Sequence, residues 1–360
     1  MIREHLRPDP VFDLGMRLHA MAPWYLASDG RALPPVRVAF ELTYRCNLEC
    51  GLCFQMPSKE QGGELDLASW LHLADRVPRY ALINITGGEP FVKKGAMEII
   101  ERALDRHQCT LLTNAVLLDE ERIRRLVDRK LLLLGISIDG IGAVHDRFRG
   151  KVGTFDRVKE VLLLLRDYKR RTGRTRPLLD IKAVMTADTA EGIEDLYQFA
   201  VDMEANFLTL SMPKLNDIQF HANLVSGLDD PKVQTLPASP RYLDPEALQD
   251  RVERIVEKSR SRKTKIRTYP RLTARNGIGA FFADSPLPTR YQPCHEPWSG
   301  MQIAPNGDVY PCLAHKVGNV RDMDLSKIWN GAPAREFRRR LRAQRLFPGC
   351  AGCCYLRGRK

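Results

Sequence analysis

Apolar runs of strand length alternate with longer amphipathic stretches from residue 36 to residue 212. Val36–Thr43 reads as a strand and Leu65–Tyr80 as a helix with Asp66 near its start. Ala81–Thr86 is a second strand, followed by a helix over Gly95–Arg106 and a third strand over His107–Thr113. Asp119 opens a helix to about Lys130 with Ile123, Leu126 and Val127 on one face, and Leu131–Asp139 is the fourth strand. Thr154–Thr172, Leu178–Val184, Thr189–Glu204 and Phe207–Met212 continue the alternation. Such alternation predicts an α/β protein with a parallel sheet and helices outside. Six units suit a partial (β/α)6 TIM-type barrel, whose active site is expected at the C-terminal ends of the strands.

Beyond residue 212 the pattern loosens. Pro213, Pro231, Pro237, Pro240 and Pro245 interrupt it, and Asp244 is placed to cap a helix from Pro245 to about Arg262. The chain therefore divides into an N-terminal extension (1–35), a barrel core (36–212), a connector wrapping the barrel (213–290) and a small cysteine-rich module (291–360).

Composition narrows the class. Of 360 residues, 44% are hydrophobic and 28% charged, a globular balance. The longest apolar stretches, such as Leu131–Leu134, are strand-sized, so no membrane span is expected. Residues 1–35 lack the apolar core of a signal peptide, and a cytoplasmic protein is expected. Net charge is +12, with basic residues crowded at Lys169–Arg176, Arg260–Arg271 and Arg335–Arg345. No nucleic-acid module accompanies them, so solvated surface is favoured over nucleic-acid binding. An anionic small molecule or an acidic peptide is compatible with the charge.

Nine cysteines, an odd number, argue for metal ligation or catalysis rather than disulfides. Three stand together after the first strand, in Tyr44-Arg-Cys-Asn-Leu-Glu-Cys-Gly-Leu-Cys53. Cys46, Cys50 and Cys53 have the spacing C-x3-C-x2-C. Three thiolates hold three irons of a four-iron cluster and leave the fourth open. A partial zinc knuckle is the alternative, but neither His19 nor His72 has ligand spacing. Gly87-Gly88-Glu89-Pro90 follows the second strand, where a plain turn is the bland reading. The functional reading gives the glycines a close backbone approach to a ligand and Glu89 an ammonium to accept from. Thr113-Asn114 closes the third strand and Ser137-Ile-Asp139 the fourth, so four groups converge on one rim.

These motifs resemble the radical S-adenosylmethionine superfamily. The resemblance implies that Cys46, Cys50 and Cys53 bind a [4Fe-4S] cluster whose unique iron chelates S-adenosylmethionine, with Gly87, Gly88 and Glu89 supporting the cofactor's methionine amino group. Ser137 and Asp139 match the polar end of the fourth strand, which touches the ribose or methionine carboxylate in relatives. The position before the third cysteine, often aromatic and near adenine, is Leu52. The implied chemistry is one-electron cleavage of the cofactor to a 5′-deoxyadenosyl radical, which removes hydrogen from an unactivated carbon. A flavodoxin or ferredoxin is the expected reductant.

Farther on, Cys294 and Gly307-Asp-Val-Tyr-Pro-Cys312 give C-x12-G-x4-C, and Cys350-Ala-Gly-Cys353-Cys354 follows. This resembles the SPASM auxiliary-cluster extension in its shortened Twitch form. His145-Asp-Arg-Phe-Arg-Gly150 also resembles SPASM-type barrels. The resemblance implies one auxiliary [4Fe-4S] cluster on Cys294, Cys312, Cys350 and Cys353, with a four-cysteine zinc site as the alternative. Cys354 is a substitute ligand, a hydrogen donor or an inert thiol. Cys109 reads as a buried thiol, and Lys182 and Glu41 as polar residues in apolar strands, facing either cofactor and substrate or the outside.

The expected activity is a radical oxidoreductase or lyase-type enzyme giving oxidation, dehydration or epimerisation. Relatives that bind leader peptides often carry a preceding recognition domain of about eighty residues or more. Only about 35 residues precede the first strand here, which favours a small polar intermediate of sugar, aminocyclitol or nucleoside type. The alternatives are a maturase acting on a ribosomally made peptide and, more remotely, a non-catalytic iron–sulfur or zinc protein.

Overall fold

In the computed structural model, residues 10–51, 53, 63–213, 245–270, 277–278, 281, 291–312 and 315–358 are described. The chain opens on helix α1 (Pro10–Leu26) and strand β1 (Arg37–Glu41). The repeating units follow as α2 (Leu67–Arg76), β2 (Leu82–Thr86), α3 (Ala96–Leu104), β3 (Cys109–Thr113), α4 (Glu120–Asp128) and β4 (Leu133–Ser137). Next come α5 (Ala143–Arg149), α6 (Thr154–Thr172), β5 (Leu178–Val184), α7 (Ala187–Glu191), α8 (Ile193–Asp202) and β6 (Phe207–Ser211).

Local chemistry sets these boundaries. Asp66 caps α2 by accepting from Ser69 N, and Asp119 caps α4 by accepting from Arg122 N. Gly173, at φ 64°, ends α6 in the left-handed conformation that glycine adopts without a Cβ penalty. The helix expected over Thr189–Glu204 is two helices, because a Thr186–Thr189 capping box starts α7 and Gly192 separates it from α8.

Beyond β6 lie α9 (Pro245–Arg260), β7 (Lys265–Tyr269), β8 (Gly300–Ile303), β9 (Asp308–Tyr310) and β10 (Gly318–Asn319), then α10 (Leu325–Trp329) and α11 (Ala332–Gln344). The ten strands form one sheet in the order β10-β9-β8-β1-β2-β3-β4-β5-β6-β7. Every pairing from β8 to β7 is parallel, whereas β9 and β10 are antiparallel additions. The partial barrel expected from six units is present, widened on both flanks. Strand β7 lies in the 213–290 segment and pairs with β6 (Phe207↔Lys265), and β8 lies in the 291–360 segment and pairs with β1 (Arg37↔Gly300). The Asp244 cap and Pro231, Pro237 and Pro240 fall outside the described residues.

The core lies between sheet and helices. Trp70, Ile99, Ile100, Val127, Val158 and Leu162 are fully buried against the strands. Each such side chain contributes about 1.5–3 kcal/mol of burial. Cys109 is among them, its thiol pushed up to about 12 by burial, as fits a small hydrophobe. Residues before β1 pack on the C-terminal module. Trp24 meets His295 and Trp298 edge-on at 4.8 and 4.7 Å, and Trp329 Nε1 donates to Leu33 O at 2.7 Å. Arg338, fully buried, donates to Pro297 O and Trp329 O and lies over the Trp329 ring. Among the described residues no helix is long and apolar enough to cross a membrane.

Candidate active site

The barrel encloses a cavity of about 940 Å³. Its wall includes residues from the C-terminal strand ends, Thr113, Ser137 and Val184, and from the opposite ends, Arg37, Leu82 and Leu178. The cavity therefore runs through the barrel, and both cysteine sets open onto it. Cys46, Cys50 and Cys53 line it after β1; Cys294, Cys312, Cys350, Cys353 and Cys354 line it from the C-terminal module.

The first set sits on a loop locked to the Gly-Gly-Glu segment. Gly88 N donates to Thr43 O at 2.7 Å, and Glu89 N to Arg45 O at 3.0 Å. A Cβ on Gly87, whose φ is +141°, would stand 2.5 Å from Thr43 O, and one on Gly88 would stand 2.4 Å from Arg45 O. These glycines are required because two stretches of backbone touch, one of them leading to the cysteines. Gly87 and Gly88 also line the cavity, as a ligand approach requires.

Glu89 is fully buried behind that wall and does not line the cavity. Its carboxylate accepts from Thr113 Oγ1 at 2.8 Å, Asn114 N at 2.8 Å and Phe91 N at 3.2 Å. Burial pushes its carboxyl up to about 7, against the pull of those donors. Glu89 thus ties the end of β2 to the end of β3. Asn114, held there, donates to Cys46 Sγ at 3.7 Å.

Asp139 is also fully buried. One carboxylate oxygen accepts from Val184 N at 2.9 Å and the other forms an ion pair with Arg149. Burial raises the Asp139 carboxyl while Arg149 opposes it. Arg149 Nη1 also donates to Cys50 Sγ at 3.6 Å. Sequence reasoning gave Arg149 no role; the available signal was a basic residue inside the His145–Gly150 motif. His145 accepts from Asp139 N through Nδ1, and burial pushes it down to about 3. Ser137 lines the cavity one register step from this group, and Leu52 falls outside the described residues.

In the second set, burial raises the Cys294 thiol well above its ordinary value, with Cys350, Glu296 and Cys312 adding to the shift. Cys350 is pushed up to about 12 by burial and by Cys312. Cys353 packs in an apolar cluster with Tyr291, Leu346, Leu356, Cys294 and Cys350. Cys354 instead acts on Arg37, which pairs with Glu296 and lies over the Tyr355 ring. Glu41 faces the cavity and accepts from Tyr44 Oη at 3.1 Å.

The family model described as Radical SAM superfamily matches residues 40–200, and the SPASM iron–sulfur cluster-binding domain model matches residues 294–354. The chain belongs to the radical SAM superfamily, in its SPASM subgroup. It is similar to the PqqA peptide cyclase of Rhodopseudomonas palustris, 26% identical over 89% of this chain and 80% of that protein. It is also similar to the subtilosin biosynthesis protein AlbA of Bacillus subtilis, 24% identical over 90% of this chain and 68% of that one. Its fold matches Streptococcus suis SuiB bound to precursor peptide SuiA, with a TM-score of 0.64, 17% identity, and coverage of 94% of this chain and 73% of that chain.

These relatives overturn the small polar intermediate expected as substrate. Two of the proteins matched over about nine-tenths of this chain are a peptide cyclase and a bacteriocin biosynthesis protein. That expectation rested on the stretch before β1, but its described residues pack on Trp298 and against Arg338, so they report on module packing rather than on substrate.

Membership implies a cofactor-binding [4Fe-4S] cluster, an auxiliary cluster and S-adenosylmethionine, and the residues fit them. Both thiol sets face one cavity, and in the second set burial and neighbouring thiols raise Cys294 and Cys350, an arrangement that a cationic iron core would relieve by holding thiolates.

Proposed function

We propose that this radical SAM enzyme modifies a peptide, taking hydrogen from an unactivated carbon of a segment seated in the barrel cavity. What carries the reading is that cavity, open at about 940 Å³ and bordered by both cysteine sets, in a chain whose curated relatives include a peptide cyclase. The outcome proposed is a net oxidation such as a cross-link or cyclisation, with a flavodoxin or ferredoxin as electron donor.

Cys46, Cys50 and Cys53 are assigned to the cofactor-binding cluster, and Cys294, Cys312, Cys350 and Cys353 to the auxiliary cluster. When bound, the first cluster and S-adenosylmethionine supply the radical that removes the substrate hydrogen. The chain's own contribution is positional. Gly87 and Gly88 bring the cofactor pocket's floor against the cysteine loop. Glu89 fixes the ends of β2 and β3, and Arg149, held by Asp139, sets a positive charge beside Cys50. Ser137 offers a hydroxyl to the cofactor at the strand ends. Ala39, Leu112 and Met301 contribute apolar surface to the cavity wall.

The test is anaerobic reconstitution with iron, sulfide, dithionite and S-adenosylmethionine, followed by incubation with short peptides encoded beside the gene. A peptide mass change matched by 5′-deoxyadenosine supports the proposal. Release of 5′-deoxyadenosine with modification of a sugar or nucleoside, and of no peptide, would overturn it.

A further inference from the structure

Among the charged groups in the barrel that the cysteine and cofactor assignments leave unused, one is a lysine. Lys182, on β5, shares a register row with Ser137, Thr209 and Arg267 on the neighbouring strands. Its Nζ lies 2.9 Å from Asp180 Oδ2, so the side chain leans back along the strand into the barrel. Asp180, almost fully buried, also accepts from Thr209 Oγ1 at 2.6 Å and has Arg267 Nη1 at 3.7 Å. One carboxylate therefore faces two cations, and Arg267 already supplies a positive charge for it. Neutralising Asp180 does not by itself account for Lys182.

The lysine is also accommodated at a cost. Gly135 lies inside β4, where glycine has no side chain to pack and weakens the strand. A Cβ there would stand 3.0 Å from Lys182 Cε and 3.2 Å from Leu112 Cδ1. The missing side chain opens the groove in which the lysine stem lies. Its ammonium is thereby fixed in depth, 5.4 Å from the centre of the Tyr269 ring. An ammonium has three N–H donors. Asp180 takes one, and among the described residues no hydrogen bond uses the others. The side chain lines the cavity and keeps 26% of its surface exposed. Burial alone would lower its pKa, but Asp180 and Tyr269 raise it, so the charge is held.

We infer that Lys182 is a specificity-determining anchor for a carboxylate of the peptide substrate, an Asp or Glu side chain or the peptide's C-terminus, seated in the barrel cavity. This rests on the peptide reading above. Asp180 and Tyr269 orient the ammonium, and an incoming carboxylate fills its remaining donors. A charge-assisted contact of this kind out of bulk water changes binding about tenfold to a hundredfold.

The test pans a phage-displayed library of random dodecapeptides, with free C-termini or capped by fusion, on anaerobically reconstituted holoenzyme with S-adenosylmethionine. Lys182→Met and Lys182→Arg are panned in parallel after circular dichroism and iron content show them folded and loaded. The chain's +12 charge enriches acidic peptides at the surface in every case, so the readout is the difference between variants. The expected result is a preference for acidic peptides that falls tenfold or more in Lys182→Met and persists in Lys182→Arg. Synthetic copies of retained peptides, with Glu→Gln or with an amidated C-terminus, then separate the side-chain carboxylate from the terminal one. An acidic preference equal in wild type and Lys182→Met, or no preference in either, would overturn the anchor while leaving peptide binding intact. No retained peptide on the wild type would overturn the peptide reading itself, and the anchor with it.

Discussion

Arg149 joins Asp139 to Cys50. Its guanidinium forms a buried ion pair with the Asp139 carboxylate and donates to the Cys50 thiol at 3.6 Å, so a cation is in place where a thiolate must form. Breaking the pair from the arginine side leaves Asp139, fully buried, without its counter-charge. Arg149→Met is expected to cost about 3–5 kcal/mol in urea denaturation. Asp139→Asn, which keeps an acceptor for Val184 N, is expected to cost less. Equal stabilities of Arg149→Met and the parent would show that the pair contributes nothing.

Gly88→Ala tests the contact between the Gly-Gly-Glu segment and the cysteine loop. The new Cβ would meet two backbone carbonyls, Arg45 O at 2.4 Å and Tyr44 O at 2.6 Å, and neither can move aside as a flexible side chain would. The loop carrying Cys46 must shift. The expected variant is folded, holds about four of roughly eight irons after reconstitution, and releases no 5′-deoxyadenosine. A full iron complement with normal cofactor cleavage would refute the coupling.

Glu89 makes the stability of the metal-free protein depend on pH in a defined direction. Its carboxyl is pushed up to about 7 by burial, from an ordinary value of 4.5. The native chain thus holds a proton that the unfolded chain has released. The stability contributed is complete below about 4.5 and lost as pH rises through about 7, a decline of roughly 3 kcal/mol. His145, pushed down to about 3, acts in the opposite sense, since its contribution is lost as pH falls below its ordinary value. The two slopes oppose each other between about pH 4.5 and 6.5. The difference between wild type and Glu89→Gln isolates the first. Stabilities measured by denaturation at several pH values should lie close together at low pH, where Glu89 is neutral like glutamine, and separate as pH rises through about 7, with wild type becoming the less stable; a constant separation would contradict the shift.

Much of this was legible in the sequence because it is local. The boundaries of α6 and β5 fall where apolar periodicity and flanking glycine or proline put them, and both cysteine sets line the cavity. What escaped depends on distance along the chain. Strand β8 is short, and its place beside β1 comes from the Arg37↔Gly300 pairing, which no local period records. Helix α1 is held by Trp24 against His295 and Trp298, partners far along the chain. Glu89 reads as an ammonium acceptor from its motif, yet its nearest donors are Thr113 and Asn114 on the next strand. Arg149 was lost among many surface arginines because only folding shows that this one faces inward.

The adjacent pair Cys353 and Cys354 differs in packing, and the proposed ligand assignment follows that difference. Cys353 packs with Cys294 and Cys350 in one apolar cluster, the neighbourhood that the proposed auxiliary-cluster set requires. Cys354 lies outside that cluster and faces the Arg37 guanidinium, while Tyr355 neighbours both thiols and its N–H donates to Cys353 Sγ at 3.5 Å. Cys353→Ala is therefore expected to lose about four irons and the auxiliary cluster's electron paramagnetic resonance signal, and Cys354→Ala to keep both. Because both side chains line the same cavity, either variant removes one cavity-facing thiol, so the contrast reports ligation rather than access. The reverse pattern would transfer the ligand role to Cys354 and place Cys353 in the apolar cluster alone.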